Sequence, residues 1–165
     1  GWRHRLRADR IGSFGHRLHS ALISRREAEH LSLSPKAITE LIQKSYRWFL
    51  EAGLTPPSLY VPPAWAMGGL SRYDLHALPY RYYESLSGVY DVRRERTRSM
   101  ALCGYMGDTR PRALFLRTIN AICRKSGPYP LRISIHPNDL ELPLAGDLAT
   151  LLNQCSRFQT YRSIR

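Results

Sequence analysis

Apolar positions along this chain follow two spacings, and the two alternate. Ile38, Leu41, Ile42, Phe49 and Ala52 recur every three or four residues and so share one face of a helix. Ser34 can accept a hydrogen bond from its first turn, Pro35 suits a position whose N–H would be unpaired anyway, and Gly53 stops it. A second helix opens at Pro111, turns Leu114, Ile119, Ile122 and Cys123 inward, and closes at Gly127. A third has Pro143 near its start and Leu144, Leu148, Leu151, Leu152 and Cys155 on its inner face. Shorter helices are expected around 21–29 and 71–78. Short apolar runs at 58–61, 80–83, 86–92, 100–105 and 131–136 read as strands, and 158–161 offers a final one. Residues 1–33 carry little periodic apolar signal and read as a long basic excursion over a surface or pocket mouth. Strands alternating with longer helices imply parallel β-α units, so the expected fold is one α/β domain over 1–165, barrel-like or open.

Composition narrows the function classes. An apolar fraction of 43% and an aromatic fraction of 10% fit a chain that buries a core. No run of about eighteen apolar residues exists, so no membrane span is expected. The net charge of +12 invites a nucleic-acid partner, but the only lysines are Lys36, Lys44 and Lys125 and the arginines are scattered. The one dense run, Arg93 to Arg98, is interrupted by Glu95. A solvated basic face accounts for it better than a nucleic-acid interface. Three cysteines, Cys103, Cys123 and Cys155, are odd in number and far apart, which suits buried free thiols rather than a zinc knuckle or a disulfide framework. The sequence starts at Gly1 without methionine, and no charged segment followed by an apolar one marks a signal peptide, which favours the cytoplasm.

The chemistry concentrates where strands end. In parallel α/β folds, active sites gather at the carboxyl ends of strands. Leu131, Ile133 and Ile135 alternate toward a core, and the run then stops on His136-Pro137-Asn138-Asp139. Pro137 biases His136 toward extended backbone and so helps to aim its imidazole. A second strand ends in Val61-Pro62-Pro63-Ala64-Trp65, two rigid prolines and an indole. A lone histidine at a strand end is more often structural than catalytic, and a Pro-Pro pair is usually only a loop. His16 and His19 have ligand-like spacing, but on a basic excursion solvent exposure explains them better.

Taken in order, three segments carry a resemblance. Gly1-Trp2-Arg3-His4 is similar to the tail of a His-Gly-x-x-His motif whose first histidine would lie just before Gly1. Tyr60-Val61-Pro62-Pro63-Ala64-Trp65 and Ile133-Ser134-Ile135-His136-Pro137 resemble two downstream motifs of the same set. Together they resemble the polysaccharide deacetylase (NodB-homology) superfamily, in its branch of predicted deacetylases. The resemblance spans the chain and includes Leu31–Ser34 and the Gly88-Val89-Tyr90-Asp91 stretch.

The resemblance implies an irregular (β/α) barrel, of which this chain would be the C-terminal two-thirds, without the first strands. It implies a divalent metal, commonly zinc, with His4 as one of its ligands, and a carbohydrate substrate that loses an N-acetyl or related acyl group. It makes His136 the general acid, and an imidazole suits that task because its ordinary pKa near 6.5 lets it deliver a proton at neutral pH. Pro62, Pro63, Ala64 and Trp65 would line the substrate, with a backbone N–H near Ala64 or Trp65 facing the oxyanion and the indole stacked on a sugar. Asp91 and Asp139 are further candidates for orienting the imidazole, and surface capping explains either one equally well. The metal aspartate and the base would lie upstream, so the chain alone is expected to bind metal poorly and turn over little. Where many members carry an arginine before the proline motif, this chain has Val61. That leaves a non-catalytic carbohydrate-binding pseudoenzyme as the alternative, with a basic nucleic-acid-binding module behind it.

Overall fold

A computed structural model describes residues 29–126 and 130–163. His4, His16, His19, the helix expected near 21–29 and the stop expected at Gly127 lie outside them. The architecture is mixed α/β, as the alternating patterns imply. The chain divides into two compact units between Arg98 and Ser99.

In the first unit, a 3-10 turn at Glu29–Ser32 leads into helix α1 (Pro35–Glu51). The start is set as the sequence implies: Ser34 accepts the Ala37 N–H at 3.3 Å, and Pro35 fills the first turn. Gly53, at φ 66, takes the left-handed conformation that ends it. Ile38 and Ile42, one turn apart, are fully buried, whereas Ala52 sits outside the last turn and is exposed.

Strands β1 (Leu59–Tyr60), β2 (Tyr82–Ser85), β3 (Gly88–Asp91) and β4 (Arg96–Ser99) form one sheet in that order. β1 and β2 are parallel, Leu59 opposite Tyr82, and the crossover between them holds Pro62–Trp65 and the short helix α2 (Arg72–His76). β2 and β3 form an antiparallel hairpin with Tyr83 opposite Tyr90, so parallel pairing is only part of this sheet. β4 was not expected. Its arginines and threonine show no apolar alternation, and a strand at a sheet edge needs none because its outer face meets water.

The core of this unit is aromatic: Tyr80, Tyr83 and Tyr90 pack with Ile38, Ile42, Leu75 and Leu78. His30 is fully buried against it. Its ring stacks on Tyr60 with centroids 5.9 Å apart, Nε2 lies 3.1 Å from the Tyr60 hydroxyl, and Nδ1 has no partner among the described residues. Removal from water disfavours the charged ring and lowers its pKa to about 4. Gly68 makes this packing possible, since a Cβ there would meet the His30 carbonyl at 2.6 Å and Ile38 Cδ1 at 2.7 Å.

In the second unit, β5 (Leu102–Gly104), helix α3 (Arg110–Ser126) and β6 (Arg132–Ser134) form a β-α-β crossover with parallel strands, Cys103 opposite Ile133. Helix α4 (Ala145–Gln154) follows, its Leu148 and Leu151 buried with Leu144 as expected. Cys103 is buried in this core, Cys123 and Cys155 pack against it, and all three are free thiols. Burial pushes the Cys103 thiol up to about 11.

α3 exists where the sequence places it, but it is rotated. Its buried side carries Ala113 and Asn120, with Leu116 and Cys123 packed against the core, whereas Leu114, Ile119 and Ile122 are exposed. Two contacts fix the rotation. Asn120 Nδ2 donates to the Gly104 carbonyl at 2.8 Å, and Asn120 Oδ1 accepts the Gly104 N–H at 3.1 Å, so one amide pairs both polar groups of a β5 residue. A Cβ on Gly107 would stand 2.8 Å from Ala113 Cα, an approach that tolerates only small residues. Two other expectations are corrected: residues 158–161 form no strand, and Ile135 is 55% exposed instead of facing a core.

Replacing Asn120 with Ala strands both Gly104 groups, and the urea midpoint should fall by the equivalent of about 1–3 kcal/mol. His30 gives a pH signature. Its pKa is near 6.5 unfolded and about 4 folded, so its contribution is complete above about pH 6.5 and is lost as pH falls toward 4. The loss amounts to about 3 kcal/mol, and urea titrations of His30→Phe between pH 7 and 4.5 should show a correspondingly flatter slope.

Candidate functional site

His136 stands two residues past the carboxyl end of β6. Its side chain is 40% exposed, and the Asp139 side chain is fully buried. Asp139 Oδ2 accepts the His136 backbone N–H at 2.8 Å and lies 3.4 Å from His136 Nδ1. The Asp139 N–H donates back to the His136 carbonyl at 3.0 Å, which closes the four-residue turn over Pro137 and Asn138. Asp139 Oδ1 is buried and has no hydrogen-bond partner among the described residues. An imidazole with one nitrogen turned toward a buried carboxylate has a set orientation, and its other nitrogen is left for proton transfer.

The second segment is built on strain. Pro62 is buried, and Pro63–Trp65 form a 3-10 turn closed by the Trp65 N–H donating to the Pro62 carbonyl at 2.9 Å. Ala64 and Trp65 both adopt left-handed backbone, φ 52 and 55, which costs about 1–3 kcal/mol per residue without glycine. Such a conformation persists only where surroundings impose it. Here Trp65 Nε1 donates to Glu84 Oε2 at 2.9 Å, and Glu84 is a buried carboxylate on β2. The indole is therefore pinned, and the Trp65 N–H is committed to Pro62 rather than free for an oxyanion. Val61, beside the turn, is 48% exposed.

The remaining candidates separate. Asp91 is held by Arg81 at 3.2 and 3.0 Å and also accepts the Arg93 N–H at 3.0 Å, capping the 3-10 turn Val92–Arg94. Burial pushes its carboxyl up, but Arg81 and the backbone N–H groups outweigh that and leave it below the usual range. It lies in the first unit and Asp139 in the second; of the two, only Asp139 is joined to His136. His4 lies outside the described residues. Among the described residues no three His, Cys, Asp or Glu side chains converge as a metal-ligand set. His136 and Asp139 supply two groups, fewer than such a set needs, so no chemical step is assigned here to a bound ion.

Two residues escaped the sequence reading. Glu84 carries a signal, an acid directly after a tyrosine run, but the strand expected at 80–83 stops two residues short of the end of β2. His30 carried none, because nothing in its neighbours marks it as buried. No helix of the described residues is long and apolar enough to cross a membrane. Compared with family models, curated proteins and solved structures, the chain matches none.

The buried Asp139 oxygen makes a sharp test of the turn. Asp139→Ala removes the acceptor of the His136 N–H and should destabilise the chain by about 1–3 kcal/mol, while Asp139→Asn keeps an acceptor and should lose clearly less. Chemical unfolding of the two variants distinguishes them, and equal midpoints for Asp139→Ala and the parent chain would contradict the geometry.

Proposed function

We propose that the chain belongs to a hydrolase that removes N-acetyl or related acyl groups from a carbohydrate, with His136 as the proton donor to the departing amine. The observation that supports this reading most is the His136–Asp139 pair at the carboxyl end of a parallel strand, where a half-exposed imidazole leans on a fully buried carboxylate. Breaking an amide requires an attacking water and a proton for the leaving nitrogen, because an unprotonated amine anion does not depart. His136 supplies that proton from Nε2, and Asp139 Oδ2, 3.4 Å from Nδ1, holds the ring in place. In the first unit, the bond to Glu84 pins the Trp65 indole that the resemblance names for substrate stacking.

The divalent ion that the resemblance implies, zinc being the usual one, belongs to this proposal together with His4. It would polarise the acyl carbonyl and activate the water. Closure of the strands into an irregular barrel is likewise part of the proposal. The exposed Val61, in place of the arginine of many members, favours a carbohydrate-binding domain without catalysis as the second reading.

The test uses the full-length protein with an N-acetylated chito-oligosaccharide, zinc supplied, and measures acetate release and binding separately. A rate about 10²–10⁴ lower in His136→Ala, with binding retained, is the expected result. Binding without release by the unsubstituted full-length protein establishes the second reading. Neither binding nor release removes both.

A further inference from the structure

The rotation of α3 leaves an apolar stripe facing outward. Leu114, Phe115, Ile119 and Ile122 are 64%, 43%, 37% and 56% exposed. They are not scattered: Phe115, Ile119 and Ile122 follow the i, i+4, i+7 spacing of a helix–helix seam, and Leu114 widens it on one side. A helix apolar on both its inner and outer faces is normally covered on both, and a contiguous exposed patch of this kind marks an interaction surface. The charge that α3 itself carries is one-signed. Arg110, Arg117 and Arg124 stand seven residues apart, on one side of the helix, Lys125 falls between Leu114 and Ile122 on the outer face, and α3 contains no acidic residue. Arg117 bonds Asp147 at 2.8 Å and Arg124 bonds Gln154 at 2.6 Å, both on the exposed surface, where such pairs are weak and exchangeable.

We propose that the outer face of α3 docks an amphipathic helix of a partner protein, one whose apolar ridge is bordered by carboxylates. The apolar side chains would fill the partner's seam, and the arginine row would fix its direction and exclude basic competitors. The shape favours a helix over a lipid surface, because the stripe is one helix wide and about 12 Å long rather than a plane. A second copy of this chain is disfavoured because it brings another arginine row and another net charge of +12.

The experiment uses the intact chain and two labelled helical peptides with the same leucine seam, one flanked by glutamates and one by lysines. Fluorescence anisotropy should give at least tenfold tighter binding of the glutamate peptide, weakening as salt rises. The double substitution Leu114→Ser and Ile122→Ser should abolish that binding without lowering the melting temperature, since both side chains are exposed. Equal affinity for the two peptides, or none for either, overturns the proposal. So does a lowered melting temperature in the double variant, which would make the stripe internal packing. Binding to phosphatidylglycerol vesicles without peptide binding, or dimerisation that the double substitution removes, would assign the face to lipid or to a second copy and also overturn it.

Discussion

A carboxylate withdrawn entirely from water must be held by hydrogen bonds, and at the end of β6 that requirement organises everything nearby. Asp139 is fully buried, and its Oδ2 takes the His136 N–H at 2.8 Å while its own N–H returns to the His136 carbonyl. An unpaired ionised group in such a place would cost several kcal/mol, so the turn over Pro137 and Asn138 is closed for electrostatic as well as conformational reasons. The orientation of the imidazole follows, since its backbone is tied to the same oxygen that its Nδ1 faces. Oδ1, left without a partner among the described residues, is the residual capacity of the group.

A comparable logic operates in the first unit, with strain in place of burial. Two consecutive non-glycine residues, Ala64 and Trp65, hold left-handed backbone in the turn after β1. The indole bond to buried Glu84 and the tight seating of Gly68 on His30 and Ile38 restrain that turn on its C-terminal side.

How much of this was readable beforehand depends on whether local or distant groups decide the outcome. α1 was legible because Ser34, Pro35 and Gly53 act within a turn of where they stand. α4 was legible because one strong apolar face leaves a single way to bury it. The rotation of α3 was not, since apolar side chains occupy two faces and the choice was made by Asn120 reaching Gly104 and by the space at Gly107, contacts distant in sequence. β4 was invisible because a polar edge strand has no alternation to read. At the site, His136 and Asp139 were both named from sequence and stand together, whereas Asp91 was named with them and is joined to Arg81 instead. His30 became visible only as a buried group, a property that its residue type does not suggest.

The central claim is that Asp139 sets the state of the His136 ring, and ring-nitrogen NMR of the intact, selectively labelled chain addresses it most directly. The account predicts that neutral His136 carries its proton on Nδ1, facing Asp139 Oδ2, with Nε2 left unprotonated, and that Asp139→Asn weakens that preference. A neutral ring protonated on Nε2, or one with the tautomer mixture of free histidine in both proteins, would contradict it.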